Sequence, residues 1–249
     1  MIVLVTGATS GFGQAIARRF LSESHHVIGT GRRGDRLEPL KQQYPKKFLP
    51  LAFDVGDRHA TEAALINLPP EFRDVDVLVN NAGGAIGLDP GHKANVDDWE
   101  AMIRSNVNGV IYCTRLLLPG MVERKRGHVV NMGSVAGEFP YPGGNVYCGV
   151  KAFVHQFSYA LRSDLLGTGV RVTDIQPGLA GGTEFSQVRF KGDEQRAAKV
   201  YEGTQPLTAE DVSDAVHWVV TRPPHVNINV VQLMPVSQAF APLAVHRDA

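Results

Sequence analysis

Short runs of apolar, mostly β-branched residues alternate along the chain with longer stretches in which apolar residues recur at helical spacing. The short runs predict strands at residues 2–5, 27–30, 48–53, 75–79, 128–132, 170–175 and about 228–234. The longer stretches predict helices at residues 13–22, 36–43, 58–66, 97–120, 146–166 and 208–221. Strands that are apolar almost throughout are typical of parallel sheets covered on both faces. The pattern therefore predicts a doubly wound α/β fold.

The alternation of strands and helices weakens only after Pro177. Residues 179–205 are interpreted as a loop that borders a substrate site. No linker, change of composition or internal repeat divides the 249 residues. We therefore expect one domain over residues 1–249.

Charge and cysteine content restrict the classes of partner. The 25 basic and 25 acidic residues cancel, so the composition gives no electrostatic reason to expect nucleic acid or an anionic membrane as partner. Cys113 and Cys148 are too few for a disulfide framework and lie in no metal-binding pattern, so we expect no metal and a reducing cytoplasm. The chain opens on a predicted strand and has no apolar run near the roughly 20 residues of a spanning helix. We expect neither a signal peptide nor a membrane span.

A glycine-rich segment joins the first strand to the first helix. It consists of Gly7, Ala8, Thr9, Ser10, Gly11, Phe12 and Gly13. Glycine lets the backbone approach a pyrophosphate, and the N–H groups at a helix N-terminus bind phosphate oxygens. The spacing G-x-x-x-G-x-G differs from the usual G-x-G-x-x-G of Rossmann-type folds, and a plain βα turn is the alternative. The position between strand and helix favours a dinucleotide site.

The end of the second strand indicates which dinucleotide is bound. An NAD enzyme would carry an acidic residue about 20 positions after the glycines, for the ribose hydroxyl. The chain has Arg32 and Arg33 at this point instead. Their guanidinium groups suit a 2′-phosphate, which favours NADP(H) over NAD. The alternative is that they only solvate a surface turn.

Two further strand ends supply candidate cofactor contacts, because open α/β sheets bind ligands at the carboxyl ends of their strands. Asp54 can accept a hydrogen bond from an adenine amine, with Val55 lining the same pocket, or Asp54 can cap the next helix. Asn81, in the turn N-N-A-G, can brace the site.

Ser134, Tyr147 and Lys151 carry the candidate chemistry. Tyr147 and Lys151 are four residues apart, so they share one face of a helix. The ammonium is expected to lower the pKa of the phenol, which is near 10 when free. Ser134 follows a strand and can hold a substrate oxygen. The group predicts proton transfer to a small-molecule substrate, bound by Ser134 and Tyr147, with hydride from the cofactor because no side chain can donate one.

In their order, these motifs resemble the short-chain dehydrogenase/reductase family. The segments are TGATSGFG, NNAG, RSNVNG, NMGS, YCGVK and the pair Pro177-Gly178, spanning residues 1 to about 235. The resemblance implies a catalytic tetrad of Asn106, Ser134, Tyr147 and Lys151. It also implies that Lys151 holds the nicotinamide ribose, that Asn106 supports a water relay, and that the protein is a homotetramer.

The resemblance also implies cofactor contacts after the sixth strand. The family often has a Thr four residues after the Gly of the Pro-Gly pair, where it holds the carboxamide. Here Thr183 lies five residues after Gly178. We therefore expect groups between Pro177 and Phe185 to contact the cofactor, on a loop that Gly181 and Gly182 make flexible.

Three other segments, PYPGGNVY, GGTEFSQVRFKGD and HVNINVVQLMPV, are similar to a bacterial branch of the family that acts on small 3-hydroxy acids. This resemblance implies serine, allo-threonine or 3-hydroxypropionate as substrate, or malonic semialdehyde in the reverse direction. Arg189 and Lys191 are candidate anchors for the carboxylate, and two solvated charges are the alternative. The tetrad suits a reductase of neutral ketones, sugars or acyl thioesters equally well. An NADP-binding sensor without turnover is the alternative from another class.

Overall fold

Seven parallel strands form the central sheet of the computed structural model, which describes residues 1–240. They are β1 (Ile2–Val5), β2 (His26–Gly31), β3 (Phe48–Ala52), β4 (Val77–Asn80), β5 (Gly127–Met132), β6 (Val170–Pro177) and β7 (Val230–Leu233). Their order in space is β3-β2-β1-β4-β5-β6-β7. The chain adds β2 and β3 on one side of β1 and then β4 to β7 on the other side. Open α/β sheets bind ligands where the order of strands changes in this way, here between β1 and β4.

Helices connect the strands. They are α1 (Gly11–Ser22), α2 (Glu38–Gln43), α3 (Arg58–Ile66), α4 (Val96–Ile103), α5 (Gly109–Glu123), α6 (Asn145–Asp164), α7 (Phe185–Arg189), α8 (Glu194–Lys199) and α9 (Ala209–Val220). Short 3₁₀ turns lie at Gly34–Leu37, Pro70–Phe72 and Val135–Gly137. A π-helical turn, Arg104–Asn108, joins α4 to α5.

The core lies in two layers, one on each face of the sheet. Val3 and Val5 of β1 pack with residues of α1 and α9, among them Phe20. Leu4, between them, packs on the other face with residues of α3, α5 and α6. Successive side chains of a strand point to opposite faces, so an apolar run such as Ile2–Val5 supplies both layers at once. The predicted doubly wound fold is confirmed.

The predicted helix at 97–120 is not one regular helix. Asn106 lies in the π-helical turn and is fully buried. Its side-chain amide donates to the carbonyl oxygen of Met102, one turn earlier, at 2.9 Å. A side chain that bonds to the helix backbone in this way competes with the regular ladder. Hydrophobic periodicity does not report such a local exchange, so the sequence predicted a straight helix.

The predicted loop at 179–205 contains two short helices, α7 and α8. Asp193 caps α8, because its side chain accepts a hydrogen bond from the N–H of Arg196 at 3.0 Å. Helices of five and six residues are too short to show a helical period in sequence. The segment therefore contains helical structure that the sequence did not predict, and the flexibility expected from Gly181 and Gly182 stays a prediction.

Three other findings hold for residues 1–240. No helix there combines the length and apolar character that crossing a membrane requires. No three His, Cys, Asp or Glu side chains come together there as a set of metal ligands. Cys113 and Cys148 are both buried and form no disulfide. The predicted domain also includes residues 241–249, which lie outside the described part of the chain.

Candidate active site

The parallel sheet brings most of the predicted site residues to one edge. Each follows the carboxyl end of its strand, in the order Gly7 to Gly13 after β1, Arg32 and Arg33 after β2, Asp54 and Val55 after β3, Asn81 after β4, Ser134 after β5, and Gly178 after β6. Asn106 lies in the π-helical turn, and Tyr147 and Lys151 lie on α6. The parallel order of the strands therefore brings residues that are far apart in sequence into one site.

The glycine-rich segment can be built only with glycine at specific positions. Gly7 has φ +70° and Gly11 has φ +51°, a region that side chains with a Cβ rarely adopt. A Cβ at Gly13 would lie 2.2 Å from the carbonyl oxygen of Gly7 and 2.5 Å from the side chain of Asn81. Asn81 in turn donates to the carbonyl oxygen of Thr6 at 2.8 Å. The turn after β4 therefore braces the loop after β1.

A cavity of about 640 Å³ lies beside this loop. It is lined by Thr9, Ser10, Gly11, Gln14, Arg36, Pro39, Gly182, Thr183, Glu184 and Gln187. Ser10 is the N-cap residue of α1, but its side chain makes no capping hydrogen bond to the helix. The N-terminal N–H groups of α1 therefore keep their capacity to bind an anion. Cavity, glycine turns and helix N-terminus together fit a dinucleotide pyrophosphate.

Hydrogen-bonded side chains of Arg33, Arg36 and Glu184 lie at one end of this cavity. Arg33 donates to Ser10 Oγ at 3.1 Å and to Glu184 Oε2 at 2.7 Å. Arg36 donates to the other carboxylate oxygen of Glu184 at 2.6 Å. Hydrogen bonds from Arg33 and Arg36 lower the pKa of Glu184 to about 2. Arg32 is exposed at the end of the same strand.

Sequence reasoning missed two members of this group. Arg36 lies four residues after Arg32, so a third basic residue at the start of the predicted helix was a usable signal. Glu184 gave no such signal, because its partners lie about 150 positions away and only the folded chain brings them together.

The candidate adenine contacts are only partly as expected. Asp54 accepts a hydrogen bond from the N–H of Gly56 at 2.9 Å. Asp57, not Asp54, caps α3, accepting from the N–H of Ala60 at 3.1 Å. The alternative that Asp54 caps the next helix was therefore wrong, because the N-cap residue of α3 is Asp57. Val55 is buried, and a Cβ at Gly109 would lie 2.7 Å from it. Contacts of Asp54 and Val55 with an adenine stay predictions.

Ser134, Tyr147 and Lys151 come together as the sequence indicated, and all three are buried. The ammonium nitrogen of Lys151 lies 5.8 Å from the centroid of the Tyr147 ring and donates to the carbonyl oxygen of Met132 at 2.8 Å. Ser134 Oγ accepts from the N–H of Ala136 at 3.1 Å. The end of β5 and one face of α6 thus hold a hydroxyl, a phenol and an ammonium in one cluster.

Burial decides the protonation of this cluster. It raises the pKa of Tyr147 well above its ordinary value, and the Ser134 hydroxyl and the charge of Arg189 oppose this only in part. Burial also lowers the pKa of Lys151 to about 8, against the opposing charge of Asp174. Loss of solvent therefore sets the direction of the pKa of Tyr147, and the expected effect of Lys151 on this phenol stays a prediction. The phenol is a protonated donor at neutral pH.

Asn106 supports the site from beneath. Its side-chain amide donates to the carbonyl oxygen of Gly84 at 2.9 Å, in the segment that follows β4. A Cβ at Gly83 would lie 2.4 Å from the side-chain oxygen of Asn106. Helix α6, which carries Tyr147 and Lys151, packs against the same π-helical turn. Asn106 thus ties α6 to the end of β4, and its part in a water relay stays a prediction.

The segment after β6 extends from the sheet edge to the catalytic cluster. Gly178 is closely packed, since a Cβ there would lie 2.3 Å from the side-chain oxygen of Gln238 and would require that side chain to shift. Thr183 lies over the glycine loop, 3.3 Å from where a Cβ of Gly11 would be. The Phe185 ring packs edge-on against Tyr147, with 5.8 Å between centroids. Pro177 accepts a long hydrogen bond of 3.4 Å from Ser134. Of the four predicted residues, Thr183 lines the cavity, and Pro177 and Phe185 contact the catalytic cluster.

With this geometry established, comparison with known proteins identifies the family. The profile described as short chain dehydrogenase matches residues 1–194. The chain belongs to the short-chain dehydrogenase family, which confirms the resemblance seen in the sequence.

Individual relatives are similar over their whole length. The chain is 62% identical over 248 residues to the NADP-dependent 3-hydroxy acid dehydrogenase of Salmonella typhi, with 100% of each chain covered. It is 51% identical over 247 residues to the serine 3-dehydrogenase of Rhizobium radiobacter, covering 99% of this chain and 98% of that one. A solved structure, the closed form of serine dehydrogenase complexed with NADP+, is 58% identical and has a TM-score of 0.98 with complete coverage of both chains.

The buried ammonium of Lys151 predicts a pH-dependent stability. Its pKa is about 8 in the folded protein against 10.5 ordinarily, so between these values the unfolded chain holds a proton that the folded chain has lost. The wild type therefore gains stability as pH rises through this window. We expect the stability of Lys151→Met relative to wild type to fall by a few kcal/mol between pH 7 and pH 10.5.

Urea unfolding at one protein concentration measures this difference. The exposed Lys199→Met is the matched control, and its stability relative to wild type should stay level over the same range. A Lys151→Met difference that is equally independent of pH would contradict the effect of burial.

Proposed function

We propose that the protein is an NADP(H)-dependent dehydrogenase that oxidises small 3-hydroxy acids, such as serine, allo-threonine and 3-hydroxypropionate, or reduces the corresponding carbonyl acids. The observation that carries this proposal is the buried cluster of Ser134, Tyr147 and Lys151 beside a cavity suited to a dinucleotide. Full-length similarity to enzymes named for NADP and for 3-hydroxy acids supports both the cofactor and the substrate class.

The residues of the chain supply position and a proton. A bound nicotinamide provides the hydride acceptor or donor, which no side chain can replace. In carbonyl reduction, Tyr147 donates its phenolic proton to the carbonyl oxygen, and its raised pKa keeps that proton in place until the oxygen becomes basic. Ser134 holds the same oxygen by a hydrogen bond. The positive charge of Lys151 stabilises the phenolate that remains.

The cofactor is held at three places in this proposal. The loop from Gly7 to Gly13 receives the pyrophosphate, as the positive φ angles and the unused N-terminal N–H groups of α1 permit. Arg32 and Arg33 receive the 2′-phosphate. Groups between Pro177 and Phe185 border the nicotinamide, and Lys151 holds its ribose.

Replacing Tyr147 by Phe removes the proton donor and leaves the ring packing against Phe185. We expect kcat for 3-hydroxypropionate and serine to fall by about 10²- to 10⁴-fold, the usual contribution of a general acid–base group. NADP binding should stay at the wild-type value. Absorbance of the reduced cofactor measures turnover, and fluorescence titration measures binding.

The same assay separates the competing functions. Wild-type turnover of neutral ketones but of no hydroxy acid would replace the proposal by a reductase of neutral carbonyls. NADP binding without turnover of either class would indicate a sensor. Full activity of Tyr147→Phe would remove this residue from the mechanism.

The arginines after β2 predict cofactor preference. The double variant Arg32→Ala, Arg33→Ala is expected to raise KM for NADP by about 10- to 100-fold and to change KM for NAD little, since only NADP carries the 2′-phosphate. Steady-state kinetics with both cofactors measures the ratio. Arg18→Ala, an exposed change on α1, is the control and should leave both values alone. Equal losses for NAD and NADP would exclude phosphate recognition by this pair.

We also propose that the protein works as a homotetramer in the cytoplasm. The long α4 to α6 region exposes large apolar side chains, namely Ile103, Ile111 and Tyr159, as a helical interface requires. Among residues 1–240, β7 is an edge strand of the sheet, and an edge strand can pair with a second copy to form another interface. The cytoplasmic proposal is supported by the two free cysteines, one of which, Cys113, has a thiol whose pKa burial raises to about 12.

Light scattering tests the assembly. We expect a mass four times that of one chain for the wild type and half of that for Ile111→Glu, because a charge at the centre of an apolar helical interface is not solvated. Ile66→Glu is the matched control, since Ile66 is 68% exposed and lies on α3, which is not one of the helices of the proposed interface. A wild-type mass of one chain would refute the tetramer.

A further inference from the structure

The structure separates the two basic residues of the 179–205 segment. Lys191 is exposed and forms an ion pair with Asp98 at 2.7 Å. Arg189 is partly buried, and its guanidinium carbon lies 5.7 Å from the centroid of the Tyr147 ring. Of the two, only Arg189 reaches the catalytic cluster.

The guanidinium of Arg189 is held in a fixed place by neutral groups. Its Nη2 donates to the Tyr141 hydroxyl at 2.8 Å, and its carbon lies 5.2 Å from the centroid of the Tyr141 ring. Its Nε makes a long hydrogen bond of 3.4 Å to the carbonyl oxygen of Gly87. The backbone is tied at the same point, because the N–H of Gly87 donates to the carbonyl oxygen of Arg189 at 2.8 Å. The side chain is therefore positioned before any ligand arrives.

No carboxylate within residues 1–240 forms an ion pair with Arg189. Arg33 and Arg36, in the same region, share Glu184. A partly buried charge without a counter-charge is unfavourable unless a ligand supplies one. The hydrogen bonds to Tyr141 and Gly87 use Nε and one hydrogen of Nη2, so the other Nη hydrogens have no partner among the described residues. These hydrogens form the fork that binds a carboxylate through both oxygens.

The position also agrees with the geometry of the substrate class. A 3-hydroxy acid carries its carboxylate two carbon–carbon bonds from the carbon that bears the reacting hydroxyl. When that hydroxyl is at Tyr147, the carboxylate lies only a few ångströms from it, and the Arg189 guanidinium, 5.7 Å from the centroid of the same ring, is the cation placed to bind it.

We propose that Arg189 binds the carboxylate of the substrate, and that Tyr141 is the positioning residue that holds the guanidinium beside Tyr147. This assignment rests on the proposed function and adds to it the residue that distinguishes acids from neutral alcohols. The interaction acts on substrate binding, and because the charge of Arg189 also lowers the pKa of Tyr147, the test depends on KM for charged against neutral substrate and not on kcat.

The test compares 3-hydroxypropionate with its methyl ester, which keeps the reacting hydroxyl, lacks the negative charge and carries one additional methyl group. For Arg189→Met, which keeps an unbranched side chain and removes the guanidinium, we expect KM for the acid to rise by about 10- to 100-fold. KM for the ester should change by less than about threefold. Arg189→Lys should recover part of the affinity for the acid, because it restores a charge without the fork. Tyr141→Phe should raise KM for the acid by a smaller factor and change KM for the ester little, because it loosens the guanidinium without removing its charge.

Two measurements keep the result independent of folding and of turnover. Lys191→Met is the matched control and should behave as wild type with both substrates. Propionate, which lacks the reacting hydroxyl, should inhibit the wild type competitively and should inhibit Arg189→Met much less. NADP binding by each variant, measured by fluorescence titration, shows that its site is folded.

The outcomes are distinct. If the wild type oxidises neither 3-hydroxypropionate nor serine, the proposed function itself fails. If the wild type oxidises the acid and Arg189→Met retains the wild-type KM and propionate inhibition, the carboxylate assignment is overturned. Equal losses for acid and ester would also overturn it, because they would place the effect of Arg189 on Tyr147 and not on the substrate charge.

Discussion

The contact between the loop after β1 and the turn after β4 is the constraint on which the site depends. Gly13 has room for no Cβ against Gly7, and the Asn81 side chain fills the space that remains. The two strands meet where the sheet order reverses, so their ends form one rigid edge. The N-terminus of α1 is fixed in direction by this contact, and the other strand ends are then placed by the parallel register. A cofactor site formed in this way needs no movement of the sheet.

Burial of polar groups is the second constraint on the site. Tyr147 and Lys151 are each kept from water, and each has its pKa displaced toward the neutral form. Such displacements cost stability, and they are typical of groups that transfer protons or hold charge in a reaction. Arg189 adds a guanidinium without a carboxylate partner within residues 1–240. The site thus joins a neutral proton donor to an uncompensated cation, a combination suited to an anionic carbonyl compound.

The fold could be predicted from sequence because the information is local. Apolar runs and helical periods gave every strand and the long helices, and the glycine, Asn-Asn-Ala-Gly and Tyr147-Lys151 patterns located the edge where the site lies. The features that the sequence did not predict depend on contacts between segments that are far apart in the chain. The bridge from Glu184 to Arg33 and Arg36 joins distant segments, and the direction of the Tyr147 pKa depends on burial that only packing creates. The choice between Arg189 and Lys191 likewise needed the positions of Tyr141 and Asp98.

The π-helical turn Arg104–Asn108 also sets the phase of the helix that follows it. Such a turn accommodates one residue more than an α-helical turn, and each residue of a helix rotates the chain by about 100°. Met102 before the turn and Cys113 after it are both buried, although they belong to different parts of the core. If the same residues continued as a regular α-helix, the extra residue would rotate α5 by about 100°, and α5 would present the wrong side to the sheet. The helical backbone therefore continues from α4 to α5, while the side that faces the core is set separately by the π-helical turn. Asn106, which bonds to the helix backbone within this turn, lies where the two are adjusted to each other.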